Sequence, residues 1–421
     1  MRKNGTVLSV LLVLLVVACG NSKEEHGPRA ELTQSTAPPP AIATAILSES
    51  SPEGTMPSST LSPTLEAIES RDYILGTDDA YVTIVMYGDF QCTRCATYAR
   101  DLEILRSDYP DDLRLVWRQL PDTTNHDKAA LAFQASEAAA AQGRFWDMHA
   151  VLFTTQNEWI GMSEEEFREQ LSRYAETVGL DIEAFNAALD DERYLPLVEE
   201  YQLQANELEI VGIPTLLING EPLSTRDDLF GLNGAIQLAL LERRFFDGPP
   251  PMTIDTEQDY QAVIETENGT IRIDLFEQDA PLTVNNFVFL AEQGWFDDTT
   301  FFLVLPDFYA QAGDPSGTGQ GYPGYRILGE HDNGHIFDRE GLVAMSHRPG
   351  EPDNAGSQFL ITLATLPNHE TEWDGKYTIF GQVIEGMGVV QGLTVRNQGD
   401  PLRFPNPPPG DQILSVRIEA Q

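Results

Sequence analysis

The rhythm of hydrophobic and polar positions divides the chain into five stretches, 1–19, 20–70, 71–246, 247–257 and 258–421. In the first, Arg2 and Lys3 precede an apolar run from Val7 to Val17, too short to cross a bilayer as a helix, which is the pattern of an export signal. No other stretch approaches the ~18 consecutive apolar residues of a membrane span. The second stretch has no period: it holds 7 Pro, 15 Ser or Thr and no aromatic residue, and cannot bury enough apolar area to offset the entropy of ordering it. As a flexible coil it would span roughly 40 Å on average and roughly 170 Å fully extended, the dimensions of a tether.

The third stretch opens with Tyr81-Val82-Thr83-Ile84-Val85-Met86-Tyr87, a β-branched and aromatic run that predicts a strand. Ala96 to Arg106 then carries Ala99, Leu102 and Leu105 on one stripe, which predicts a helix fed directly by that strand. Lys128 to Gln142 closed by Gly143, Ser163 to Gly179 with Ser163 and Glu166 as a capping box, and Asp181 through Phe185 to Leu189 predict further helices. A strand Leu216-Leu217-Ile218 and the turn Asn219-Gly220 follow. Gly248-Pro249-Pro250-Pro251 begins a short stiff linker. Beyond it the period becomes two, and Tyr260 to Thr266 and Thr270 to Phe276 predict a hairpin across Asn268-Gly269. A helix from Pro281 to Gly294 comes next. Strand-like runs around Leu342–Met345, Phe359–Thr362, Thr378–Val383 and Ile413–Glu419, separated by Gly, Pro and Asn, complete a β-rich closed sheet with helix plugs.

Composition adds that 421 residues with 41% apolar content, 33 Gly and 27 Pro fit a globular protein of two or three domains. Charge removes a class of partner: 26 basic against 66 acidic residues leave -40, a surface that repels phosphate backbones, so no nucleic acid is expected. The excess is shared, with 14 basic and 32 acidic residues over 71–246 and 8 and 27 over 247–421, which reads as a solvated acidic surface.

Once Cys19 at the end of the signal is set aside, Cys92-Thr93-Arg94-Cys95 holds the only cysteines, so a structural disulfide framework is impossible. The pair lies where a strand feeds a helix. The positive end of that helix, together with Arg94, favours a thiolate on Cys92. A thiol of lowered pKa both attacks and leaves well in disulfide exchange. Zinc would need two further ligands, and no His pair lies near the motif; zinc and an inert buried pair stand as the competing readings of what, in an exported protein, reads as a redox dithiol. The sequence implies no cofactor and no metal.

Three resemblances extend these readings. Val16-Val17-Ala18-Cys19-Gly20 resembles the bacterial lipoprotein box. That implies cleavage before Cys19, lipidation of its thiol, and a folded part anchored to the cell membrane on the extracytoplasmic or periplasmic side. Asp89-Phe90-Gln91-Cys92 with Cys95, and Gly212-Ile213-Pro214-Thr215 downstream, resemble the thioredoxin superfamily, and a helical block of about 80 residues between them resembles its DsbA-like branch. The resemblance implies an α/β thioredoxin-like fold with a helical insertion and a cis Ile213-Pro214 bond facing the cysteines. It also implies Cys92 as the attacking nucleophile, Cys95 as the resolving thiol, and Pro214 as the element that positions the substrate backbone. Thr93 departs from the proline that relatives often carry after the first cysteine.

The last stretch resembles the cyclophilin family of peptidyl-prolyl isomerases through Ala280-Pro281-Leu282-Thr283-Val284-Asn285-Asn286-Phe287, Phe308-Tyr309-Ala310-Gln311-Ala312-Gly313-Asp314-Pro315, Ala355-Gly356-Ser357-Gln358-Phe359 and Asp374-Gly375-Lys376-Tyr377. This implies a mostly-β closed barrel with Phe308, Gln311 and Gln358 lining a proline-binding groove. Where the family usually reads Phe-His-Arg-Val-Ile, the chain has Phe301-Phe302-Leu303-Val304-Leu305, so the family's principal catalytic arginine is replaced by Leu303. Leu360 replaces an aromatic residue at the pocket floor, and Glu372-Trp373 stands where Trp-Leu is frequent. Were isomerisation nonetheless fast, Arg348 or His347 would have to supply the charge. The whole implies an extracytoplasmic folding factor that combines thiol-disulfide exchange with a cyclophilin-type domain. Its partners would be unfolded or proline-containing exported polypeptides, a redox partner the sequence does not name, and the membrane through the lipid. The alternative is a peptide-binding chaperone with redox activity and no significant isomerase activity.

Overall fold

The computed structural model describes residues 72–223, 228–348, 350–400, 402–404 and 406–421. Cys19, the signal and the tether lie outside them.

The first sheet is built on β2 (Val82–Gly88), whose seven residues are all buried because both faces are covered. β1 (Tyr73–Leu75) precedes it, α1 (Thr93–Asp108) and β3 (Leu113–Gln119) follow, and β2 and β3 run parallel with Val82 beside Leu113. The helical block then runs α2 (Ala129–Ala140), α3 (Phe145–Thr154), α4 (Gln156–Trp159), α5 (Glu164–Thr177), α6 (Ile182–Asp190) and α7 (Leu195–Glu207). Ser163 and Glu166 form the expected capping box of α5, and Asp181 caps α6. The chain returns through β4 (Thr215–Ile218), antiparallel to β2, then β5 (Glu221–Pro222) and α8 (Leu229–Leu241). Among the described residues the sheet order is β1-β3-β2-β4-β5. Helix α1 begins three residues before the sequence-based start, because Cys92 itself is the N-cap.

The second sheet starts with β6 (Tyr260–Thr266) and β7 (Gly269–Leu275), paired from Thr266 and Gly269 at the hairpin turn. There follow α9 (Pro281–Glu292), β8 (Thr299–Thr300), β9 (Leu303–Leu305), β10 (Tyr309–Ala312), β11 (Leu342–Met345), β12 (Phe359–Thr362), α10 (His369–Glu372), β13 (Ile379–Glu385), α11 (Met387–Gln391), β14 (Arg396–Asn397) and β15 (Gln412–Ala420). The ladder runs β14-β9-β10-β12-β11-β13-β7-β6-β15-β8 and is antiparallel throughout. Its first long strand and last strand, β9 and β8, are consecutive along the chain. Phe301 and Phe302 join them, with Phe301 N donating to Asp411 O and Phe302 N to Gln311 O, so the sheet curls back on itself.

Alternation separates two apolar layers in this sheet. Val304, Ala310, Ala312, Val343, Phe359 and Ile361 face the interior with α9, whereas Leu342, Ala344, Leu360 and Ile379 face outward against Leu366 and Trp373. The outer layer carries the groove described below.

The end of α8 and the residues after it are shared between the two cores: Ala239 and Leu240 pack against the first, and Leu238, Leu241, Phe245 and Phe246 against the second. Leu241 is buried in the barrel-side core with Leu238, Phe245 and Phe246 against it. The Phe246 ring meets Phe289, Trp295 and Tyr325, its N–H donates to Pro323 O, and Arg244 donates to the carbonyls of Gly294 and Trp295. The linker is pinned as well: Asn285 Oδ1 accepts from the N–H groups of Thr253 and Ile254, and Asn285 Nδ2 donates to Pro251 O.

Candidate functional site

Cys92 and Cys95 are joined as a disulfide at the first turn of α1, with Cα atoms 5.1 Å apart. Cys92 is the N-cap, and its Sγ accepts from Cys95 N at 3.1 Å, so the orphan donors of the helix end face the sulfur. The two cysteines are unequal: Cys92 is 7% exposed and Cys95 0%. The loop before them is fixed by buried Asp89, whose Oδ1 accepts from Gln91 N at 2.6 Å and whose Oδ2 accepts from Asp122 N at 2.8 Å and lies 2.9 Å from His126 Nδ1. From the helical block, Gln156 Nε2 donates to Phe90 O at 2.7 Å and Cys92 O at 3.1 Å. Behind the loop, His149 sits among the rings of Phe90, Trp117, Phe145, Trp146 and Phe153, where burial holds its imidazole far below the usual range, at about 3.

The Ile213-Pro214 bond is cis. Thr215 pairs with Tyr87. Continued by one residue, that register sets Pro214 beside Gly88, four residues ahead of Cys92. The sheet thus brings together the cysteines and the proline that the sequence separates by 119 residues between Cys95 and Pro214.

On the outer face of the second sheet, Leu303, Gln311, Leu360 and Ala344 lie in one row across β9, β10, β12 and β11. Gln311 Nε2 donates to Gln358 Oε1 at 2.9 Å and to Ser346 Oγ at 3.0 Å. Gln358 Nε2 donates in turn to the carbonyls of Gly321 at 2.8 Å and Gly319 at 3.0 Å. Phe308 stands edge-on to Trp373 at 5.5 Å, and Trp373 stacks on Tyr377 at 4.7 Å. The pair Glu372-Trp373 is divided by its environment: Trp373 is buried in the same outer cluster as Leu360, while Glu372 is exposed. His347 has both ring nitrogens 2.8 Å from backbone carbonyls, of Arg348 and Lys376, and lies flat on Tyr377. It is already engaged, and the row through Leu303 contains no cation.

Residues 261–418 match the family model of cyclophilin type peptidyl-prolyl cis-trans isomerases, and residues 69–237 match a thioredoxin family model. A peptidyl-prolyl cis-trans isomerase of Synechococcus elongatus is 41% identical over 159 residues, which cover 38% of this chain and 95% of that protein. The chain belongs to the cyclophilin family. Its cyclophilin domain follows a thioredoxin-like one. Among solved structures, a cyclophilin-type isomerase of Cryptosporidium parvum, crystallised in the presence of the dipeptide Ala-Pro, is 28% identical with a TM-score of 0.34, over 38% of this chain and 99% of that one. Oxidised BdbD of Bacillus subtilis is 26% identical with a TM-score of 0.35, over 40% of this chain and 91% of that one.

The groove residues named from the cyclophilin resemblance, Phe308, Gln311 and Gln358, are brought together on one face. Sequence reasoning missed Gln156, Ser346 and the Asp89–His126 pair. Gln156 and Ser346 act on partners far along the chain that no local pattern announces. Asp89 had a signal, since it stands three residues ahead of Cys92 in the quoted motif.

Proposed function

We propose that the chain is a folding factor of the cell envelope, exchanging disulfides at Cys92 and Cys95 and holding proline-containing segments of exported polypeptides in its cyclophilin groove. The observation that carries this reading is the asymmetry of the cysteines: Cys92, at the helix N-cap, keeps 7% exposure while Cys95 has 0%, which supports Cys92 as the one that meets a partner. In the reducing direction the Cys92 thiolate attacks a client disulfide, forms a mixed disulfide and releases one client sulfur as thiolate. The Cys95 thiolate then attacks Cys92 Sγ, re-forms the internal disulfide and releases the second client thiolate, so two electrons pass to the client. The reverse sequence oxidises a client dithiol, and a second thiol protein resets the pair. Pro214, beside Gly88, would align the client backbone next to Cys92. Lipidation of Cys19 would hold the protein at the extracytoplasmic face of the membrane, with residues 20–70 as its tether.

One observation favours the second reading, a chaperone that binds proline segments without efficiently isomerising them: the groove row has Leu303 where a cation would act on the prolyl nitrogen. The test of the redox reading is the full chain with Cys95→Ser, incubated with an unfolded disulfide-containing polypeptide. Adducts that vanish on reduction and are absent when Cys92 is also changed to Ser are expected. No adduct from a Cys92 that alkylating agents still reach would refute the exchange mechanism.

A further inference from the structure

Over residues 247–421 eight basic side chains stand against 27 acidic ones. Arg272, Arg339 and Arg417 are paired with carboxylates. Arg326 and Arg348 have no ion pair and no side-chain hydrogen bond among the described residues. Arg326 is nevertheless held: its guanidinium lies 3.8 Å over the Tyr322 ring. Its Nη1 lies against Gly356, where an added Cβ would come within 2.6 Å of it and displace the guanidinium. The backbone brings these residues together through the bridge between Ile327 and Ala355, which sets Arg326 opposite Gly356. Burial lowers the proton affinity of Arg326, Tyr322 opposes this, and Arg348 stands near enough to lower it further. Glu351, whose charge acts in the opposite sense, already accepts from Asn354.

This cation adjoins the groove. Gly356 is two residues from Gln358, at most roughly 7 Å along the backbone. Gln358 donates to Gly321 O, and Gly321 directly precedes Tyr322, on which Arg326 is stacked. Arg326 is within reach of a side chain two or three residues from a proline held at Gln311 and Gln358.

We propose that Arg326, assisted by Arg348, is a specificity-determining residue of the groove and takes an acidic side chain, Asp or Glu, two or three residues from the client's proline. The inference rests on the groove binding proline segments, as argued above. A guanidinium stacked on an aromatic ring is planar, pre-oriented and partly desolvated, and presents paired donors that match a carboxylate. The surrounding acidic surface sharpens the choice, because it repels acidic segments everywhere else and is screened beyond about 8 Å at physiological salt.

The test uses the full chain and C-terminally amidated proline peptides in which Glu or Gln is placed in turn at each of the three positions before and after the proline, with Kd read by fluorescence anisotropy. At one position Glu is expected to bind about tenfold or more tighter than Gln. That ratio should fall towards one in Arg326→Gln, be partly kept in Arg326→Lys, and be reduced in Arg348→Gln, whose exposed side chain can change without loss of the fold. Equal binding of Glu and Gln at every position, or a ratio that survives Arg326→Gln, would overturn the acidic subsite while leaving the groove intact. Failure of every proline peptide to bind would remove the groove reading and this subsite with it.

Discussion

Leu303 faces the same side of the sheet as Gln311, directly across β9 and β10, and is half-buried. An amide twisted towards its transition state has lost resonance and gained a basic nitrogen, so a cation in this place lowers a barrier of ~18 to 20 kcal/mol, and a leucine does not. One preorganised donor is worth ~10² to 10³ in rate. Leu303→Arg in the full chain should therefore speed isomerisation of a bound proline peptide by about 10²-fold, with Kd changed by less than about twofold, in a protease-coupled assay. Phe302 is 3% exposed and packs near Gly319, so a Phe302→His, Leu303→Arg double variant should accompany the single one. A rate that stays low while peptide binding persists would mark a groove built for binding alone. Which residue was missing could be read from five letters of sequence; which face it left empty required the strand register.

At the scale of elements, the helical block does more than enlarge the first domain. Helix α4 is only four residues long, yet its Gln156 reaches back 66 residues to Phe90 O and 64 to Cys92 O, both at the loop that leads into the Cys92–Cys95 disulfide. Cys92 O also accepts from Ala96 N in α1, so it is Phe90 O that depends most on Gln156. Gln156→Leu keeps the volume and removes the donor, which should lower stability by about 1 to 3 kcal/mol. Denaturant titration would register this as a lower midpoint at an unchanged slope. Unchanged stability would mean that water reaches these carbonyls instead. The helices themselves were legible, because caps and stripes are local: Ser163 with Glu166, Asp181, and Gly143 and Gly179 at the ends. The use of α4 was not, since a glutamine that bonds to a backbone carbonyl leaves no pattern in either segment.

In the whole molecule, the two family domains share a seam. Helix α8 bonds to the end of α1, where Tyr109 Oη donates to Asn233 Oδ1 and accepts from Gln237 Nε2, and the same helix ends with Leu241 in the barrel core and Phe245 and Phe246 beyond it. The full chain should accordingly melt with its two halves coupled. Phe245→Ala with Phe246→Ala should separate the calorimetric profile into two transitions; a profile already double in the parent chain, or unchanged in the variant, would show that the seam carries little energy. The sequence by itself determined the order of the two domains, most of the strands and helices within them and the Cys92-Thr93-Arg94-Cys95 motif, because each is written in short-range periodicity, capping or a contiguous motif. Only the tertiary structure decided that Pro214 lies beside the strand leading to Cys92, that Trp373 is buried while Glu372 is exposed, that Arg326 is stacked on Tyr322, and that Leu238, Leu241, Phe245 and Phe246 pack against the second core. Each of these depends on which distant backbones are paired and which side chains are thereby removed from water, quantities set by the packing of the whole chain and not by any window of it.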